Sequence, residues 1–331
     1  MAHYLVTGVA GFIASRVAEM LLDAGHSVVG VDNLNAAYDV RMKKYRLGKL
    51  QGRPGFEFLR LDISDRAAIE QLDTQAGRDS RAHGFEAVIN LAARAGVRQS
   101  VENPWVYVDT NITGTLNLLE FCHRKEIGKF ILASTSSIYG ADAPLPTPED
   151  ADSDHPLQAY AASKKGAEAL CHAYHYLHGI DVTIVRYFTV YGPAARPDMV
   201  MFRFAQWIRE GLTVKLNGDG EQSRGFTYID DIARGTILGL KPLGHEIINL
   251  GGHESIKINE LIRMFEALIG RKAQIEQLPA HPADMLASWA AVDKAEKLLG
   301  WRPQVSLREG VSNLVAWYEA ERAWASQIRT E

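Results

Sequence analysis

A tyrosine and a lysine stand four residues apart in Tyr160-Ala161-Ala162-Ser163-Lys164, and twenty-five residues before Tyr160 the chain carries Thr135 within Ser134-Thr135-Ser136-Ser137. Residues i and i+4 share one helical face, so an ammonium can sit beside the phenol. A phenol of pKa about 10 must fall by roughly three units, about 4 kcal/mol, to act as a base near neutrality. A cation about 4 Å away supplies about 4 kcal/mol at an effective dielectric of 20. The pair is sufficient in magnitude, and the Thr135 hydroxyl can relay a proton between phenolate and a substrate hydroxyl. The bland alternative is a packing tyrosine beside a surface lysine. Spacing alone does not decide, because such a pattern recurs by chance. It does so at Tyr45 and Lys49, where no hydroxyl cluster precedes it, and that second pair reads as a solvated helix face.

A second constellation lies at the N-terminus, in Thr7-Gly8-Val9-Ala10-Gly11-Phe12-Ile13-Ala14. Glycines let a backbone turn tightly and approach a pyrophosphate, and the helix that follows offers free N–H groups at Phe12 and Ile13 to the anion. Ala14 takes the third small position. Asp32, followed by Asn33, stands 24 residues after Gly8. A carboxylate there accepts both hydroxyls of a ribose and repels a 2′-phosphate, which favours NAD over NADP. The alternative is a plain turn aspartate. Asp62-Ile63 follows a third apolar run and is a candidate for the adenine, with an Asx-turn as the alternative. Leu91-Ala92-Ala93 ends a fourth run with small residues suited to lie beside a cofactor, and Tyr187 ends a sixth.

These residues need a scaffold. Short β-rich runs occur at Tyr4–Thr7, Ser27–Val31, Phe56–Leu61, Ala87–Leu91, Phe130–Ser134 and Val182–Tyr187, with helical patterns at Phe12–Ala24, Pro104–Arg124 and Tyr160–His178 between them. That alternation predicts a doubly wound α/β domain of Rossmann type whose parallel strands are covered on both faces. The rhythm changes after Tyr187. A helix over Met199–Glu210, a strand near Val214–Leu216 and helices near Ile258–Ile269, Asp293–Leu299 and Leu307–Ala325 suggest a smaller mixed lobe. The division expected is 1–187 for the cofactor, with segment 229–251 returning to it, and 188–331 for the substrate.

Of 331 residues, 47% are hydrophobic and 23% charged, with a net charge of −4. These are globular values that exclude disorder and give no support for nucleic-acid binding by bulk charge. No stretch of eighteen apolar residues occurs, so no membrane span is expected. The first strand leads straight into the glycine turn, leaving no room for a signal peptide. With only Cys122 and Cys171, a disulfide framework is excluded and a reduced, cytoplasmic protein is the default. His172, His175 and His178 share one helix, but without a second ligand set they read as a polar flank, and no metal is expected. Trp207 and its aromatic neighbours read as packing.

Together, Thr7-Gly8-x-x-Gly11, Asp32-Asn33, Asn90-Leu91-Ala92-Ala93, Thr135-Ser136-Ser137-x-Tyr139-Gly140, Tyr160-x-x-x-Lys164, Arg186-Tyr187-Phe188-Thr189 and Leu299-Gly300-Trp301-Arg302-Pro303 resemble the extended short-chain dehydrogenase/reductases of the sugar-nucleotide epimerase/dehydratase group. The resemblance spans nearly the whole chain. It implies an NAD-dependent enzyme that takes a UDP-sugar, with Thr135, Tyr160 and Lys164 catalytic, and a homodimer built on the helices over Pro104–Arg124 and Tyr160–His178. Asn33-Leu34-Asn35, Arg196-Pro197-Asp198-Met199, Phe226-Thr227-Tyr228 and Pro282-Ala283-Asp284-Met285 resemble the branch that inverts UDP-glucuronate at C4 through a 4-keto sugar. The short hydroxyls of Thr135, Ser136, Ser137 and Thr189 are candidate donors to the carboxylate, and by that resemblance Thr189 and Arg196 would contact the sugar or nucleotide, Arg224 would hold the diphosphate, and Asp284 would lie on the uridine side. Ala14, Arg94, Gln99 and Gly225, where the group has aspartate, depart from its pattern. UDP-glucose epimerisation, UDP-glucuronate decarboxylation and a non-catalytic NAD-binding role are the alternatives to be separated.

Overall fold

The structure, a computed structural model, describes residues 1–75, 84–252, 255–279 and 287–330. In chain order the first part runs β1 (His3–Thr7), α1 (Phe12–Asp23), β2 (Ser27–Asp32), α2 (Val40–Leu50), β3 (Phe56–Arg60), α3 (Arg66–Gln75), β4 (Ala87–Asn90), α4 (Val97–Glu102), α5 (Trp105–Tyr107), a π-helical turn (Val108–Thr113), α6 (Gly114–Arg124), β5 (Lys129–Thr135), a 3-10 turn (Ser136–Tyr139), α7 (Ala159–His178) and β6 (Asp181–Tyr187). There follow β7 (Thr189–Tyr191), α8 (Val200–Glu210), β8 (Thr213–Asn217), β9 (Ser223–Tyr228), α9 (Ile229–Leu238), β10 (His245–Leu250), β11 (Ser255–Lys257), α10 (Ile258–Ile269), β12 (Gln274–Leu278), β13 (Ala287–Ser288), α11 (Asp293–Leu299) and α12 (Leu307–Ala325).

Seven strands form one parallel sheet in the order β10-β6-β5-β4-β1-β2-β3. Side chains alternate across each strand, and both faces are apolar. Val6, Ile89, Ile131 and Val185 pack beneath α1, α9 and α11, while Leu5, Val88, Phe130 and Ile184 pack beneath α3, α6 and α7. The chain reverses direction of winding between β1 and β4. At such a switch point the carboxyl ends of the strands open a crevice.

Beyond β6 the chain builds a second unit. β9 pairs with β7, β11 and β13, and β8 pairs with β12. An aromatic core of Phe202, Phe204, Trp207, Phe265 and Tyr318 holds α8, α10 and α12 against these strands and also includes Phe12 and Met42 of the first unit. The segment from α9 to β10 lies with the large sheet: β10 pairs in parallel with β6, and Ile232 and Ala233 of α9 join the core beneath α1. Two differences from the sequence reading have physical causes. The helix expected over Pro104–Arg124 is broken into α5, the π turn and α6, because Asn111 is drawn inward to bond Arg94 O, Arg94 N and Ser163 Oγ. The helix at Asp293–Leu299, expected in the smaller lobe, packs on the large sheet through Ala295, Leu299 and Trp301. Trp301 is fully enclosed and its Nε1 donates to Asp231 O at 2.8 Å.

Candidate active site

The turn between β1 and α1 is shaped by lack of room. Gly8 has φ +70°, and a Cβ there would lie 2.8 Å from the Ala92 backbone. Gly11 caps α1 without any side-chain bond, which leaves the first-turn amides for an anion. Asp32 braces the loop from behind. Its Oδ2 accepts from Ala10 N at 3.2 Å, and its Oδ1 accepts from Leu34 N at 2.7 Å and Lys43 Nζ at 3.2 Å. Thr7 Oγ1 donates to Asn90 Oδ1 at 2.7 Å and accepts from Ala92 N at 3.1 Å, so β1 and the Leu91–Ala93 turn are locked together. Asp62 forms an Asx-turn onto Ser64 and accepts from Asn33 Nδ2 at 2.7 Å. Burial pushes the Asp62 carboxyl up, but the bonds from Ser64 and Asn33 outweigh it and hold it below the usual range. An extended dinucleotide fits this cradle: a glycine floor, an anion site at the helix start and carboxylates at the ends of β2 and β3.

Tyr160 lies in the first turn of α7, half-buried and facing Thr135 at the end of β5. Burial pushes the Tyr160 phenol above its ordinary value, while a hydrogen bond with Thr135 and the charge of Arg196 act the other way. Thr135 Oγ1 also meets Ser137 Oγ at 3.2 Å and caps the 3-10 turn by accepting from Ser137 N. Lys164 is 2% exposed, and its Nζ donates to Ala133 O at 2.8 Å. Burial lowers Lys164 to about 8, with Glu168 working against that fall. The sequence argument gave Lys164 the task of easing the phenol's ionisation. In the structure the Lys164 ammonium is turned to a strand carbonyl, and the charge of Arg196 joins in easing the ionisation of the phenol. The look-alike pair also differs from its reading: Tyr45 is half-buried, donates to Glu321 and accepts from Trp317 Nε1 at 2.9 Å, with Lys49 Nζ 4.7 Å from its ring.

One cavity of about 670 Å³ runs from the glycine turn to the second unit. It is lined by every site residue named from the sequence except Asp284, which lies outside the described residues. Ser136 and Ser137 border it from the large sheet, Thr189 from β7, and Tyr187 and Ile63 from the strand ends. Arg196 pairs with Asp198, Nη2 to Oδ2 at 2.6 Å, and keeps 22% of its side-chain surface open. Arg224, on β9, donates to Ser223 O and also lines the cavity. Gly225 beside it is sterically imposed, since a Cβ would come within 2.8 Å of Gly252 O and Trp289 Cβ. Trp207 packs as expected, with Nε1 donating to Thr330 Oγ1, yet one edge borders the cavity. Sequence reasoning missed Tyr38, Lys43 and Asp198 as lining residues. Lys43 lies eleven residues past Asp32, and only the turn into α2 brings it back. Among the histidines, His172 and His175 face His245, whereas His178 faces His123, so the three do not converge.

No described helix is long and apolar enough to cross a membrane. The chain is 55% identical, over 96% of its length and 96% of the relative's, to a UDP-glucuronate 4-epimerase of Thermodesulfobacterium geofontis. It superimposes on UDP-glucuronic acid 4-epimerase from Bacillus cereus, solved with UDP-glucuronic acid and NAD, with TM-score 0.88 and 36% identity over 96% of this chain and 99% of that one. A UDP-glucose 4-epimerase of Thermotoga maritima, solved with UDP-glucose, gives TM-score 0.87 and 31% identity over 97% of this chain and 99% of that one. Residues 4–251, which carry the glycine turn, the hydroxyl cluster and the Tyr160–Lys164 pair, match a family-wide pattern, and the chain belongs to the NAD dependent epimerase/dehydratase family.

Proposed function

We propose that this protein is an isomerase that interconverts UDP-glucuronate and UDP-galacturonate by transient oxidation at C4, with NAD as a resident cofactor. The observation that carries the reading is the meeting, in one cavity, of Tyr160 with the short hydroxyls of Thr135, Ser136, Ser137 and Thr189 beside the glycine cradle. The likeness to UDP-glucuronate 4-epimerases over nearly the whole chain supports it.

Gly8, Gly11, Phe12 and Ile13 bind the pyrophosphate, Asp32 and Asn33 the ribose, Asp62 and Ile63 the adenine end, and Leu91, Ala92, Ala93, Tyr160, Lys164 and Tyr187 the inner half of the cofactor. Bound NAD supplies the acceptor and donor of a hydride at C4. Tyr160 takes the proton from the 4-hydroxyl, with Thr135 as relay, and returns it after the sugar has turned its other face. Lys164 and Arg196 favour the ionised phenol.

A 4-keto uronate is a β-keto acid and loses carbon dioxide when its carboxylate stands perpendicular to the carbonyl plane. Hydroxyls of Thr135, Ser136, Ser137 and Thr189 hold the carboxylate out of that geometry through charge-assisted hydrogen bonds. Arg196 and Arg224 bind the nucleotide, and Asp284 its uridine side. The cofactor unit is 1–187 together with 229–251, and the remainder of 188–331 is the substrate unit. The protein is cytoplasmic and dimeric, its partner surface including Trp105, which is 77% exposed, beside α6 and α7. Incubation with UDP-glucuronate, followed by separation of the products, tests the reading. UDP-galacturonate is expected; UDP-pentose as the main product, or faster turnover of UDP-glucose, would overturn it.

A further inference from the structure

Behind the glycine turn, Arg46 on α2 is 3% exposed and ties together segments far apart in the chain. Its Nη1 donates to Ala10 O at 3.2 Å and to the Tyr38 hydroxyl at 2.8 Å, and its Nε donates to Ala194 O at 2.9 Å. Ala10 sits between Gly8 and Gly11. Ala194 stands two residues before Arg196 and has φ +57°, an uncommon conformation for a residue with a side chain, which the bond from Arg46 helps to hold. The guanidinium also lies 5.5 Å from the Tyr38 ring and 5.8 Å from that of Phe12. Lys43, the partner of Asp32, lies 5.8 Å from the same Tyr38 ring, and Arg196 lies 5.9 Å from it. The Tyr38 ring, which lines the cavity, and the Arg46 guanidinium behind it thus contact the segments at both of its ends.

The arrangement is a poor way to gain stability. All three bonded partners of Arg46 are uncharged oxygens, and its buried Nη2 has no partner among the described residues. A cation enclosed without a counter-charge is costly. A planar fork can bridge two carbonyls at once, whereas an ammonium on a flexible stem cannot hold both in one plane.

We infer that Arg46 is a positioning residue that couples the dinucleotide end of the cavity to the nucleotide-sugar end. Because one guanidinium fixes the Ala10 and Ala194 carbonyls together, ordering the glycine turn also orders the segment bearing Arg196, and each ligand strengthens the binding of the other. This rests on the functional reading above, since it takes NAD and a uridine nucleotide as the two ligands. Coupling of this kind is reciprocal and measurable as a ratio of affinities.

The test is equilibrium dialysis of NAD from the holoenzyme with and without saturating UDP, with calorimetric titration of UDP as a parallel measurement. For the native sequence UDP is expected to tighten NAD about ten-fold, within the usual range of such couplings. In Arg46→Lys and Arg46→Met the factor is expected to fall to less than about two-fold, while circular dichroism shows a folded protein. If Arg46→Met does not fold, Arg46→Lys and Tyr38→Phe carry the comparison. A merely structural arginine would lower both affinities and leave their ratio intact. An unchanged ratio in the variants, or no coupling in the native protein, overturns the inference while leaving the functional reading in place. Failure of the native protein to bind UDP at all overturns both.

Discussion

Tyr160 sits where burial resists its ionisation, and the charges around it decide whether it serves as a base. Lys164, drawn down to about 8 by burial, is the group that changes state in the working range. A lysine with a lowered pKa is charged below that value and neutral above it, so its pull on the phenol fades as pH rises through about 8. The expected kcat/KM profile therefore has an alkaline limb near 8. Lys164→Met should remove that limb and lower the plateau by about 10²–10⁴, the usual range for a lost acid–base contribution; an unaltered limb in the variant would show that another group titrates there. Tyr160→Phe should cost turnover by at least as much while the protein keeps its bound NAD, as absorbance of the released cofactor would report. The tyrosine, lysine and threonine were legible because a helix period and a strand end place them in a pattern short enough to read. Arg196 was read from the sequence as a candidate ligand contact and lines the cavity, but its action on Tyr160 depends on how the chain folds back after β7, which no local spacing encodes.

At the scale of elements, the reactive helix is anchored by one buried cluster. Glu168, one turn beyond Lys164 on α7, accepts from Ser134 Oγ at 2.5 Å and from Arg186 of β6 at 3.0 and 2.7 Å. Arg186 also donates to the Tyr139 hydroxyl, whose own proton goes to Asn249 of β10. Removing one member of a buried ion pair strands the other, so Glu168→Ala should lose about 3–5 kcal/mol in urea unfolding. The double change of Glu168 to Leu and Arg186 to Met should lose less than the sum of the two single losses. Gly225 makes the opposite case, a site fixed by crowding. Gly225→Asp would press on Gly252 and Trp289 and should cost about 1–3 kcal/mol, read as a lower Tm. Strands β1 to β6 of the large sheet and the helices α1, α7, α10 and α12 were visible as periodic runs, whereas β10 was foreseen only as a segment returning to that sheet. The π turn was not, because its cause is a single asparagine reaching to Arg94 and Ser163. Nor was the position of α11, whose apolar face fits either unit by sequence alone.

At the scale of the molecule, the cavity exists because two units are held at a fixed separation. Tyr45 of α2 meets Trp317 and Trp324 of α12, with ring centroids 5.9 and 5.0 Å apart, and bonds Glu321. Tyr45→Phe removes two hydrogen bonds and should cost about 1–2 kcal/mol; its KM for UDP-glucuronate is expected to rise more than kcat falls, since the variant loosens the walls and leaves Tyr160 untouched. This contact escaped the sequence reading, which took Tyr45 for a solvated residue, because its partners lie some 270 residues away. The cycle proposed for that cavity requires a hydrogen to leave C4 and come back to the same carbon without meeting solvent. The direct measurement uses UDP-glucuronate bearing deuterium at C4 in ordinary water, with the galacturonate product analysed by mass and NMR. The account predicts full retention of deuterium at C4; loss of the label to water during inversion would contradict it.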